Sequence, residues 1–184
     1  MEIKGEYQIA SSREKVWAAL IDPEVLKECI PGCESLEKIS DTEFAAKVIA
    51  AIGPVRAKFD TSLTLENMQP PESYTLVGSG KGGAAGFGSG SADVRLYEID
   101  GGTQLTYSAE FRVGGKLAQV GSRLVLGATR KMAKEFFGNF SRRLDSHAQR
   151  IETAEEKGEG GISKTWLAVA AAVVVLLIWW FLLS

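Results

Sequence analysis

The sequence predicts an α+β domain, a curved antiparallel sheet closed around one long C-terminal helix, followed by a single membrane-spanning helix. Three observations lead there. Residues 34–114 fall into β-rich runs, several with an apolar–polar period of two. Residues 116–153 then carry one apolar stripe at helical spacing. Finally, the stretch from Trp166 to Leu183 contains no charged or strongly polar side chain.

Taken in order, residues 2–10 have the length and content of a first strand. Ser11 or Ser12 can cap a short helix with Val16, Trp17 and Leu20 on one side. Asp22-Pro23 starts a second short helix through residue 29, which Pro31-Gly32 stops. Six strands follow, over 34–39, 44–51, 55–66, 74–80, 92–99 and 104–113, and a meander is the simplest way to join them. Pro70-Pro71 marks one turn, and Gly101-Gly102 reads as a hairpin turn. One uninterrupted helix over 116–153 places Leu117, Val120, Leu124, Ala128, Met132, Phe136, Phe140 and Leu144 on a single face. Gly121, Gly127 and Gly138 lie on or beside that face. Each costs about 1 kcal/mol relative to alanine, and they mark either a kink or room for close packing or a ligand. A strand, two short helices, a meander and a long helix together describe a helix-grip domain over residues 1–154. Residues 155–164, rich in glutamate and glycine, read as a flexible linker, and 165–184 as the anchor.

A helix of the 18 residues 166–183 would be about 27 Å long, close to a hydrocarbon core of about 30 Å. Trp166 stands at one end, and Trp179 and Trp180 stand near the other, where indoles prefer the headgroup zone. A core helix buried on all sides would need more protein than this chain has to cover it. The N-terminus lacks an apolar run of signal-peptide length, so the expected location is the cytoplasmic membrane with the domain facing the cytoplasm. Cys29 and Cys33 fit a reducing compartment and no disulfide framework.

Charge is unevenly spread. Residues 1–115 carry 11 basic and 17 acidic side chains, whereas residues 116–150 carry eight basic and two acidic ones. Arg130, Lys131 and Lys134 are the densest part of that basic helix. They suit a membrane or partner surface, or else an ordinary solvated face. The acidic overall balance, with aromatics confined to the apolar stripe, argues against nucleic acid.

The run from Gly78 to Gly90, GSGKGGAAGFGSG, contains a formal dinucleotide fingerprint, but no helix opens after it and no βαβ unit surrounds it. It reads better as two strands and their turn with side chains deleted, leaving either cavity volume, a flexible portal or a disordered exposed hairpin. No Ser-His-Asp or Cys-His spacing and no paired carboxylates point to catalysis, and His147 is the only histidine. No metal site is expected. Met132, Phe136, Phe137 and Phe140 cluster at helical spacing, as core or as one wall of an apolar pocket. The expected cavity residues are Leu124, Met132, Phe136, Phe137 and Phe140 on the helix, facing Gly80, Gly82, Gly83 and Phe87.

Three pieces of sequence resemble the carbon monoxide dehydrogenase CoxG family of the START-like, or SRPBCC, superfamily of polyketide cyclases and dehydrases. They are Ile30-Pro31-Gly32-Cys33, the glycine pattern of residues 78–90, and GKLAQVGSRLV over residues 115–125 with Phe136-Phe137 downstream. The resemblance covers residues 1–150. It implies a non-enzymatic accessory protein that tethers a molybdenum hydroxylase, such as carbon monoxide dehydrogenase, to the membrane. It also implies an apolar quinone or lipid in the cavity, menaquinone or ubiquinone being the candidates. A purely structural adaptor without ligand and a cyclase- or dehydrase-type enzyme are the competing readings.

Overall fold

In the computed structural model, strand β1 (Glu2–Ile9) leads into helices α1 (Arg13–Leu20) and α2 (Pro23–Cys29). Six strands follow: β2 (Cys33–Lys38), β3 (Glu43–Ile52), β4 (Val55–Gln69), β5 (Ser73–Lys81), β6 (Phe87–Ile99) and β7 (Gly102–Gly114). The chain ends its described part in α3 (Lys116–Gln119) and α4 (Ser122–Gly158). The structure describes the backbone of residues 1–158 and the side chains of residues 1–145. The anchor assigned to 165–184, with Trp166, Trp179 and Trp180, lies outside the described residues, as does most of the linker. No helix among the described residues is long and apolar enough to cross a membrane. Residues Met1–Ala148 form one compact unit and Gln149–Ser184 a second.

The seven strands make one antiparallel sheet in the order β1-β7-β6-β5-β4-β3-β2. That is the expected meander, with β1 closing against β7 through the register Ile3↔Ala109, Gly5↔Tyr107 and Tyr7↔Leu105. The helix pair forms as the sequence implies. Val16, Trp17, Ala19 and Leu20 are buried along α1. Ser12 takes the N-cap position of α1 without a side-chain capping bond. In α2 the Asp22 carboxylate accepts from the amides of Glu24 (2.8 Å) and Val25 (3.2 Å). Asp22→Ala should therefore cost about 1 kcal/mol, read as a lower urea midpoint at an unchanged m-value. A midpoint unchanged within error would mean the cap adds nothing.

Two expectations need correction. The β6–β7 hairpin turns at Asp100-Gly101, because Gly102 already pairs with Ile99. The C-terminal helix is also not continuous. Gly121 has φ +94°, a left-handed conformation that ends the short α3 before α4 begins. The break resets the helical phase. Leu124, which a continuous helix would place beneath Leu117, is 53 % exposed, and its neighbour Val125 is 1 % exposed. Gly127 and Gly138 have only open space where a side chain would stand, so they serve no close packing.

The main core lies where α1, α2 and the middle of α4 meet the sheet. It includes Ile9, Val16, Trp17, Phe44, Leu105 and Phe140. Hydrogen bonding ties α4 to α2: Asn139 Nδ2 donates to the Cys29 carbonyl at 3.0 Å, and Arg143 Nε donates to the Glu28 carboxylate at 2.6 Å. A second, smaller cluster of Phe59, Ala85 and Leu117 sits at the other end of the sheet.

Candidate functional site

A cavity of about 460 Å³ shares its walls with both apolar clusters. Its shape follows from alternation along the strands, since successive side chains point to opposite faces. On the face turned toward α4, β3 contributes Ala46, Val48 and Ala50, and β4 contributes Phe59, Thr61 and Leu63. The next strand, β5, presents Leu76, Gly78 and Gly80, and β6 presents Gly88, Gly90 and Ala92. Ala109, Phe111 and Val113 of β7 complete the sheet wall, with Leu117, Thr129 and Met132 on the helices. The glycines stand opposite one another, Gly78 against Gly90 and Gly80 against Gly88. Glycine and alanine at the centre of the inner face, with larger side chains around them, leave the volume that α4 roofs.

The glycine run is therefore ordered as paired strands joined by a 3-10 turn (Gly83–Ala85). It packs closely against β7: a Cβ on Gly86, at φ +112°, would strike the Gly114 carbonyl oxygen.

The cavity is almost wholly hydrocarbon. Its two inward hydroxyls already have partners, Thr61 Oγ1 donating to the Ala46 carbonyl (2.9 Å) and Thr129 Oγ1 to that of Val125 (2.9 Å). Glu110 and Arg112 border it from strand positions whose side chains are exposed. A furrow of about 920 Å³ runs over the opposite face of the same strands, lined by Ser62, Ser79, Ser89 and Ser91. Half-polar and open, it has no such apolar enclosure.

Of the residues expected from sequence to line a cavity, Met132 and Gly80 do so. Gly82 backs onto the Phe59 ring, 2.8 Å from where its Cβ would be, and so adjoins the cavity wall without lining it. The other expected residues lie elsewhere. Gly83 sits in the turn at φ +56° with open space around it. Phe87 is 52 % exposed and its ring covers Gly114. Leu124 rests beside Gly53, which would place a Cβ 3.5 Å from Leu124 Cδ1. Phe136, Phe137 and Phe140 belong to or pack against the main core, in an aromatic group with Tyr7 and Tyr107. Arg130, Lys131 and Lys134 are exposed on α4, Lys131 reaching Glu135 at 3.8 Å.

Sequence reasoning missed Phe59, Leu63, Phe111 and the alanines of β3, β6 and β7. The available signal was small residues recurring at alternate positions of four strands, at the same level as the glycines. Among the described residues no group of three or more His, Cys, Asp or Glu could hold a metal. Burial pushes the thiols of both Cys29 and Cys33 above their ordinary pKa, so both rest as unreactive thiols at neutral pH.

A curved seven-stranded antiparallel sheet around a C-terminal helix, with an apolar cavity between them, defines the START-like helix-grip class. Solved structures agree on the fold. A conserved protein from Geobacillus kaustophilus is 33 % identical, with a TM-score of 0.75 over 79 % of this chain and 96 % of its own. An aromatase/cyclase from Streptomyces is 11 % identical, with a TM-score of 0.61 over 80 % and 95 %. A Mycobacterium smegmatis protein is 12 % identical, with a TM-score of 0.62 over 79 % and 92 %. At such identities the last two likenesses speak for fold alone. A comparison with curated protein sequences returned no match. The family model for CoxG, an accessory component of carbon monoxide dehydrogenase, matches residues 5–145, and the chain belongs to that family. Membership suggests an accessory role to carbon monoxide dehydrogenase.

Proposed function

We propose that this protein is a non-enzymatic, membrane-held accessory of a molybdenum hydroxylase of the carbon monoxide dehydrogenase type. It binds a respiratory quinone, menaquinone or ubiquinone, in the helix-grip cavity and so brings an electron acceptor to the enzyme. The observation that carries this reading is the 460 Å³ hydrocarbon-lined cavity in a chain of this family. Its volume is that of a small-molecule site. A quinone's isoprenoid chain is poorly soluble in water, and burying it is favourable by about 25 cal/mol per Å² of apolar surface. A cyclase-type activity would need an acid–base group facing the substrate, and the two hydroxyls facing the cavity already donate to carbonyls.

In this reading the uncharged segment from Trp166 to Leu183 is the anchor. Deleting residues from Gly160 onward should move the protein from the membrane fraction to the soluble one with its fold intact. The shortened protein should also fail to bring the hydroxylase to membranes in a co-sedimentation assay. Retention on the membrane after a high-salt wash would rule out the tail as the principal anchor, since salt removes attachment through the basic face of α4.

A further inference from the structure

The cavity offers nothing to the oxygens of a polar headgroup, yet unpaired donors stand just beyond one end of it. Ile3 and Ala109 pair across β1 and β7 and line the cavity. The next inward pair along the same strands, about 7 Å further on, is Gly5 and Tyr107. Gly5 has no side chain, and the Tyr107 ring fills that place: a Cβ there would lie 2.7 Å from the phenol oxygen. Tyr107 stacks on Phe137 at 5.7 Å and Tyr7 stacks on Phe137 at 4.1 Å, which holds both phenols beneath α4. Arg130 lies on α4 between Thr129 and Met132, both cavity residues. Its guanidinium opposes the upward pull that burial and Tyr7 exert on the Tyr107 pKa, so the three groups share one neighbourhood. Among the described residues neither phenol hydroxyl has a hydrogen-bond partner and no carboxylate pairs with Arg130.

We infer that Tyr7, Tyr107 and Arg130 form the headgroup site for the ligand whose hydrocarbon chain fills the cavity. Two hydroxyls and a guanidinium present donors to carbonyl oxygens and disfavour a cationic head. The chemical class is an oxygen-bearing, neutral or anionic headgroup on an apolar chain. Arg130 is exposed, so a head held there remains within reach of a partner enzyme. This inference rests on the ligand-carrier reading above.

Two probes separate the two claims, both titrated against the full-length protein in neutral detergent. Decylubiquinone has a quinone head on a ten-carbon chain, and decylbenzene has the same chain without oxygens. The wild type should bind both, decylubiquinone more tightly. Tyr107→Phe should weaken decylubiquinone about fivefold and Arg130→Gln about tenfold, as expected for one neutral and one charged hydrogen bond. Decylbenzene binding and the melting temperature should not move, because the lost groups make no bond within the protein. If both probes bind the wild type and neither variant changes the ratio of their affinities, the headgroup site is overturned while the carrier reading stands. If the wild type binds neither probe, both are overturned. Palmitate as a third probe tests head chemistry: binding as tight as decylubiquinone, and as sensitive to Arg130→Gln, marks a site for lipid carboxylates in general. Palmitate binding insensitive to both variants would contradict the assignment of an anionic head to Arg130.

Discussion

Phe140→Ala is expected to lower the unfolding free energy by about 3–5 kcal/mol, the largest stability effect available at any single described position of α4. The ring is fully buried, stacks on Phe136 at 5.7 Å and joins α4 to the main core. Truncation removes that burial and leaves a void which the surrounding sheet cannot collapse to fill. For a domain of this size the melting temperature should fall by roughly 6–20 °C. Ligand binding by the fraction that stays folded should change little, because Phe140 does not line the cavity. A loss under about 1 kcal/mol, measured by reversible denaturant unfolding, would mean that α4 is not packed as described.

The second large effect runs the other way. Gly88→Leu should abolish ligand binding and leave stability intact or slightly raised. A Cβ at Gly88 would meet the Arg112 carbonyl oxygen and Val113 Cγ1 at 3.8 Å each, an ordinary contact distance. The rest of the leucine would project into the cavity and bury apolar surface there. Gly90→Leu is the matching control. Its Cβ would lie 2.7 Å from Phe111 Cβ, so the strands must shift and stability should fall together with binding. Unimpaired quinone binding by a well-folded Gly88→Leu protein would place the ligand elsewhere.

These two positions also mark where sequence reasoning succeeds and where it stops. The order of elements is legible because each carries its own local signal: alternation in β4, the Asp22-Pro23 start of α2, and the apolar stripe of α4. Phe140 is legible as an inward residue for the same reason. Periodicity names the face of a helix but not what lies opposite it. That is why Phe136, Phe137 and Phe140, which the stripe places at a cavity, instead pack in the aromatic core. The break at Gly121 is hidden because a glycine inside a helical pattern is tolerated at about 1 kcal/mol. Whether it adopts a left-handed φ depends on contacts made after folding. One such turn is enough to exchange Leu124 for Val125 on the buried side. The glycine-rich run is recognisable as missing side chains, and the structure adds that Gly78, Gly80, Gly88 and Gly90 share one face. Phe87, in the middle of that run, lies on the other face because it is one residue out of phase with them.

Mass spectrometry of an organic extract from the purified full-length protein, prepared beside its Gly88→Leu variant, tests the carrier reading most directly. The expected result is a respiratory quinone recovered in near-stoichiometric amount from the wild type and absent from the variant. The contradicting result is no quinone from either, together with no uptake of added decylubiquinone by the wild type.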